Sequence, residues 1–385
     1  MISATPPPPT DPSSTTMQSI DSQLTKSTDL WDLLAAYWHR QSQSSLFLIK
    51  LRSWEYWPFW VVYAPVLVYY GWLSLRARSW FFFSASNPGI ENGGMRGHSK
   101  IAVLNKIEEQ YKPKTLFFRH ATLTSDVIMD QMMLANFWFP IIAKPDLGQR
   151  GFRVEKLDSQ AELTQYLTQH RQDLIVQEYV DEPLELGVFY YRFPGEPTGT
   201  VSSIVVKDFL SVTGDGRLSI TQLLTRNERA LLQREALEKR YGDALNEVLR
   251  ADETRFLMPI GNHCRGTKFL NGNHLIIPEL TAVFDRISLP VSGFHYGRFD
   301  LRCRSIEHLL LGKTIRIVEL NGAGSEPAHI YQPGFSIWEG WRVLLQHWQV
   351  LYKISRANHR LGVPYMTLGE AWGFYQQSRA NKQVA

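Results

Sequence analysis

Two stretches late in the chain carry oxygen and nitrogen groups at a spacing that strands would turn into a site. In Gly297-Arg298-Phe299-Asp300-Leu301-Arg302, strand alternation puts Arg298 and Asp300 on one face, and in Ile317-Val318-Glu319-Leu320-Asn321 it does the same for Glu319 and Asn321. Set side by side, such strands gather Asp300, Glu319 and Asn321 into a hard oxygen set suited to Mg²⁺ carried by nucleotide phosphates. The same pattern also describes two amphipathic strands with polar outer faces. The apolar neighbours Ile315, Ile317, Val318 and Leu320 count against exposure of the second one.

A second chemical signal lies upstream, in Phe139-Pro-Ile-Ile-Ala-Lys144-Pro-Asp-Leu-Gly148-Gln-Arg-Gly151-Phe-Arg-Val154. Ile141, Ile142 and Ala143 form a short apolar run suited to a strand covered on both faces, and Lys144 stands where it ends. Gly148 and Gly151 supply the backbone freedom that lets amide groups approach a polyanion. The stretch therefore reads as a phosphate-covering loop with a lysine aimed at the phosphates, or as a plain hairpin with a surface lysine. What lies downstream decides between them.

The elements that must position these groups follow from the rest of the chain. With 385 residues, 44% of them apolar, the chain is long enough for two to three domains with packed cores. A net charge of +4, dispersed along the sequence, argues against a nucleic-acid partner. The two cysteines, Cys264 and Cys303, give neither a disulfide framework nor a zinc spacing, which fits a reducing, cytoplasmic setting. Residues 1–28 are rich in Pro, Ser and Thr and read as a disordered tail without the pattern of a secretory signal. Residues 29–79 read as a helical, aromatic-rich segment.

Within that segment, Tyr56 to Leu75 is uncharged for 20 residues between basic flanks. The length matches a bilayer crossing. Pro58, Pro65, Gly71 and the many Trp and Tyr rings fit better with a buried aromatic interface or with a membrane surface. All three readings stay open, so membrane contact through residues 50–80, at the inner face of a membrane, is among the expectations.

Beyond it, Trp80–Ala85 reads as a strand, Asn87–Gly94 as a tight loop, Ser99 as the cap of a helix to about Gln110, and Thr115–Phe118 as a strand. A helix capped at Thr124 or Ser125 leads into the Lys144 strand. This alternation predicts a small parallel βαβαβ unit over residues 80–140. Residues 141–332 would form the main nucleotide and metal domain. It includes a helix opened by Ser159-Gln-Ala-Glu162, a strand at 174–180, a strand pair over 186–193 and 201–209, and a charged helical face over 221–252. Residues 333–385 read as C-terminal helices with a Trp-rich apolar stripe, the mark of a core rather than of a site.

Taken together, the motifs resemble the ATP-grasp superfamily, and within it the carboxylate–amine ligase branch that includes D-alanine–D-alanine ligase. The family order is a strand-end lysine, a glycine loop, a nucleotide hinge with an acid beyond it, an Arg-x-Asp strand and a Glu-x-Asn strand. Here these stand as Lys144, Gly148 to Gly151, Gln177-Glu-Tyr-Val180 with Glu185, Arg298-Phe-Asp300 and Glu319-Leu-Asn321. The run Val212-Thr-Gly-Asp-Gly216-Arg-Leu-Ser-Ile220-Thr-Gln-Leu-Leu also looks like a stretch of cyanophycin-synthetase-like ligases. The resemblance implies an α/β (α+β) ATP-grasp fold, with the small unit before it and aromatic-rich helices at both ends.

It also implies roles. Lys144 and, earlier in the chain, Lys100 would contact ATP phosphates, with Lys207 as a second phosphate lysine. Glu178 and Val180 would face the adenine edge, with Gln177 or Glu178 as the side-chain contact, and Glu185 would take the ribose hydroxyls. Asp300, Glu319 and Asn321 would hold Mg²⁺. Arg298 would stabilise the charge that builds when an acyl phosphate, made from a small-molecule carboxylate, is attacked by an amine. The alternative is a membrane-associated nucleotide-binding accessory protein whose domain no longer catalyses.

The chain departs from the family in lacking a large substrate domain ahead of the nucleotide part and in not matching its substrate loops. Arg265 and Ser325 lie where an acceptor pocket could form and are the expected substrate contacts. His263 and His295 read as structural hydrogen-bonders.

Overall fold

The computed structural model describes residues 51, 53–120, 123–148, 151–258, 261 and 266–383. The tail read over residues 1–28 and residues 29–50 of the helical, aromatic-rich segment lie outside these residues, as do His263, Cys264 and Arg265.

The uncharged stretch becomes α1 (Phe59–Ala77), with Pro65 inside it and Arg78 in the left-handed conformation closing it. Val62, Val66 and Leu73 are buried, while Trp60, Val68 and Leu75 stand exposed on the opposite side. Among the described residues no helix is long and apolar enough to cross a membrane.

Trp80–Ala85 does not form the expected strand. Phe82–Ser86 is a 3₁₀ turn, and Phe82 is wholly buried with its carbonyl bonded by Ser355. Local β propensity yields here to tertiary contacts with a helix some 270 residues later in sequence. The Asn87–Gly94 loop is held by one buried side chain. The Asn87 amide donates to the carbonyls of Gly93 and Tyr296, and its oxygen accepts from the His295 and Tyr296 amides. The helix capped by Ser99 is α2 (Lys100–Leu104), a single turn instead of a run to Gln110.

A four-stranded sheet follows, made of β1 (Thr115–Phe118), β2 (Ile141–Pro145), β3 (Glu155–Leu157) and β4 (Leu174–Glu178) in the order β1-β4-β2-β3. Two helices, α3 (Ser125–Leu134) and α4 (Gln160–Gln169), cover it, capped by the Thr124 and Ser159 hydroxyls. Every pair of neighbours is antiparallel. The parallel pairing expected over residues 80–140 is therefore corrected: β4 inserts between β1 and β2, so the strands that alternate with helices never touch.

The larger sheet runs β11-β10-β5-β6-β9, again wholly antiparallel. Its strands are β5 (Leu184–Tyr191), β6 (Thr200–Asp208), β9 (Lys268–Asn271), β10 (Tyr296–Cys303) and β11 (Arg316–Asn321), while the short β7 (Ser211–Thr213) and β8 (Thr254–Phe256) pair with each other. One face packs Leu186, Val188, Phe299 and Leu301 against α5 (Pro278–Ser288) in the main core. Residues 210–258 enclose a smaller core of their own, and the buried Arg229 there makes two 2.7 Å bonds to Glu55. The long helix α6 (Ile337–Arg360) lies on α1: Trp341 donates to the Val62 carbonyl at 2.7 Å, and Asn358 to that of Ala85 at 2.8 Å. Leu73, Phe82, Leu351 and Ile354 pack together there, each burial stabilising by roughly 1.5–3 kcal/mol.

Candidate active site

The two sheets face each other across a cleft of about 680 Å³, within the size range of small-molecule sites. The small sheet contributes Lys144 from the end of β2. Its ammonium is buried, donating to the Gln177 side-chain oxygen at 3.0 Å and the Val318 carbonyl at 2.9 Å, both neutral acceptors. Burial pushes its pKa down to about 8, against the pull of Glu319. Lys100 reaches across from α2 and donates to the carbonyls of Pro145, Asp146 and Gly148 at 3.3, 3.0 and 2.7 Å. Its pKa is likewise lowered, first by burial. Gly148 and Gly151 border the cleft, and Gly151 has φ +69°, the left-handed region that suits glycine.

The large sheet answers with a web of paired charges on the face opposite its core. Arg298 binds Asp300 through two 2.9 Å bonds, Lys207 lies 2.9 Å from Glu185 and 3.6 Å from Asp300, and Arg302 holds Glu185 at 2.9 Å. Burial opposes the charge of Lys207, but Asp300 and Glu185 outweigh it and keep its pKa above the ordinary lysine value. Gly187 makes room for this web. A Cβ there would sit 2.8 Å from Val205, 3.0 Å from an Asp300 oxygen and 3.2 Å from the Arg298 chain.

Strand register brings the three oxygen-bearing residues together, since Asp300 lies opposite Glu319 and Arg298 opposite Asn321. The Asn321 amide nitrogen donates to Asp300 at 3.1 Å, which leaves its oxygen for another partner. Glu319 is half-buried on the cleft, and among the described residues no cation pairs with it directly; it favours the charged forms of Lys144, Lys100 and His98 through space. An oxygen-only set with an unpaired carboxylate suits a hard divalent cation. Asp300 would join it by loosening one of its bonds to Arg298.

Of the residues expected from sequence, Lys100, Lys144, Gly148, Gly151, Gln177, Glu178, Val180, Glu185, Lys207, Arg298, Asp300, Glu319, Asn321 and Ser325 all border this one cleft. Their engagements differ. Gln177 is buried, with its oxygen on Lys144 and its nitrogen on Thr115, so Glu178 is the hinge side chain left at the rim. The Val180 carbonyl accepts from Arg302 at 2.7 Å. Both oxygens of Glu185 are bonded to cations, and Ser325 donates to the Gly322 carbonyl at 2.5 Å. Arg265 falls outside the described residues, and His295 lies outside the cleft lining.

Sequence reading missed several lining groups. Arg302 continues the same-face alternation of Arg298 and Asp300, a signal that was present. Tyr63 offered none, because its neighbour in space is far away in sequence: it donates to the carboxylate of Glu326, 263 residues later.

No family model and no curated protein matches this sequence. Among solved structures it is similar to a D-alanine–D-alanine ligase from Bacillus anthracis, at 12% identity over 70% of each chain with a TM-score of 0.40. The VanG D-Ala:D-Ser ligase from Enterococcus faecalis is 16% identical over 68% of this chain and 62% of its own, with a TM-score of 0.36. A bifunctional glutathione synthetase from Pasteurella multocida is 14% identical over 63% of this chain and 35% of its own, with a TM-score of 0.35.

Proposed function

We propose that this chain is an ATP- and Mg²⁺-dependent ligase of the ATP-grasp type, joining a carboxylate to an amine. The observation that supports it best is the opposition of two weakly compensated lysines, Lys144 and Lys100, to the Asp300, Glu319 and Asn321 oxygens across one cleft. A triphosphate satisfies the lysines on one side and carries a divalent cation to the oxygens on the other.

In this reading Lys144 and Lys100 hold phosphates beneath the Gly148–Gly151 loop, and Glu178 and the Val180 backbone meet the base. Glu185 reaches the ribose by giving up one of its cation bonds. Asp300, Glu319 and Asn321 would hold Mg²⁺, which when bound neutralises phosphate charge. The substrate carboxylate attacks the terminal phosphorus, ADP leaves, and the amine then displaces phosphate from the acyl phosphate. Arg298 and Lys207 stabilise the charge that moves through these steps, and the chemistry calls for positioning and charge balance more than for a protein nucleophile. Ser325 and Arg265 are the proposed acceptor contacts.

The test is ADP release with mixed amino-acid and amine donors, and thermal stabilisation by ATP with Mg²⁺. Lys144→Met should abolish the stabilisation; a variant that binds and turns over ATP like the wild type would sink the reading. The exposed apolar side of α1 favours one second reading, a membrane-associated nucleotide-binding protein without catalysis. Sedimentation with anionic vesicles, combined with absence of any donor-dependent ADP release, would support it instead.

A further inference from the structure

Beyond Arg298 the cleft continues into a compartment for which phosphate chemistry has no use. It runs between α1 and α6, lined by Tyr63, Val66, Tyr70, Leu344, Trp348 and Leu351. Val66, Leu344 and Leu351 are at most 2% exposed, so this wall of the cleft is built from closely packed apolar side chains of α1 and α6. Its two polar features are unlike those of the nucleotide end. Glu326 accepts from the hydroxyls of Tyr63 and Tyr331, and among the described residues no cation pairs with it. His347, 8% exposed, has a ring nitrogen without a hydrogen-bond partner among the described residues.

A carboxylate held only by neutral donors in an aromatic enclosure is suited to a cation, because a positive charge is drawn both to the carboxylate and to ring faces. An apolar enclosure is suited to a tail. The backbone carbonyl of Glu326 accepts from Arg298 at 3.3 Å, so this acid adjoins the group proposed to steady the acyl phosphate. We infer that the amine partner of the proposed ligation carries an apolar tail, alkyl or aryl, with its ammonium on Glu326 and its tail between α1 and α6. The inference rests on the ligase reading for its chemical step.

In that step the ammonium passes a proton to the Glu326 carboxylate. The amine nitrogen bonds to the acyl carbon, and the carbon–oxygen bond to phosphate breaks, with the electron pair leaving on phosphate, which takes up the second proton released by the nitrogen. Burial raises the pKa of Glu326, against the bonding of Tyr331, which favours its taking up the proton.

Calorimetric titration of the full-length protein with n-octylamine, n-butylamine and 1-octanol tests the assignment. Octylamine should bind at least tenfold tighter than butylamine, which lacks the tail, and than octanol, which lacks the charge. Glu326→Gln should weaken octylamine at least tenfold while leaving octanol unchanged. Equal binding of the two amines by the wild type overturns the inference, whatever the variant does, and so does an unaffected Glu326→Gln. ATP-dependent stabilisation of the wild type, measured in parallel, separates the failures: if it persists without chain-length dependence, only this inference falls, and if it is absent, the ligase reading falls. Donor-dependent ADP release with octylamine in solution marks a dissolved substrate, and release only with the amine embedded in vesicles marks a membrane-borne one; both outcomes support the tail.

Discussion

On the small-sheet side of the cleft, Lys144 and Lys100 direct their hydrogen bonds to backbone carbonyls and one side-chain amide. On the large-sheet side, Lys207, Arg298 and Arg302 each hold a carboxylate at 2.9 Å. Lys144 and Lys207 are both buried lysines, yet their pKa values move in opposite directions: Lys144 falls, as does Lys100, and Lys207 rises. Lys207, Arg298 and Arg302 are thus paired with carboxylates inside the protein, while Lys144 and Lys100 donate to neutral acceptors. The difference lies in how each cation is compensated within the protein, which residue type alone does not reveal.

Substitutions on the two walls should therefore behave differently. The largest effect is expected from Asp300→Ala, which leaves Arg298 and Lys207 buried without their shared partner. Denaturant unfolding should show a loss of about 3–5 kcal/mol, together with a fall in ligase turnover of roughly 10² to 10³. Lys144→Met should do the reverse in stability. ATP affinity should drop at least tenfold, while the ligand-free protein melts at or above the wild-type temperature, since a poorly compensated buried charge has been removed. A marked destabilisation by this variant would erase the contrast between the walls.

The smallest effect should appear in pH dependence. The Lys144 pKa of about 8 lies below the ordinary lysine value of about 10.4. Between these values the unfolded chain holds a proton that the folded one has lost, so this group makes stability rise with pH across that window and contributes a constant penalty below it. The slope of unfolding free energy over pH 8 to 10 should be more positive in wild type than in Lys144→Met, by at most about 1.4 kcal/mol per unit. ATP affinity in the wild type should weaken over the same range.

The parts of the site legible in the sequence were those governed by strand alternation. Arg298 with Asp300, and Glu319 with Asn321, share faces because period two is a local property, and Arg302 obeys the same rule. The parts that were not legible depend on distant neighbours. Trp80–Ala85 has strand-like composition but folds as a 3₁₀ turn under α6. The uncharged stretch that becomes helix α1 left its setting open in the sequence because its partner surface, on α6, lies some 280 residues away. Alternation of strand and helix signalled a mixed α/β unit but suggested parallel pairing, missing the insertion of β4 between β1 and β2, since pairing order leaves no periodic trace.

That α1 and α6 come from opposite ends of the chain has a practical bearing on how the molecule can be cut. A fragment trimmed to the nucleotide-handling portion, without residues before 80 or after 332, would lay Phe82, Phe189 and Tyr296 open to solvent, all of which are now at most 3% exposed. Such a fragment should aggregate, so affinity tags belong outside both helices and every boundary should retain them.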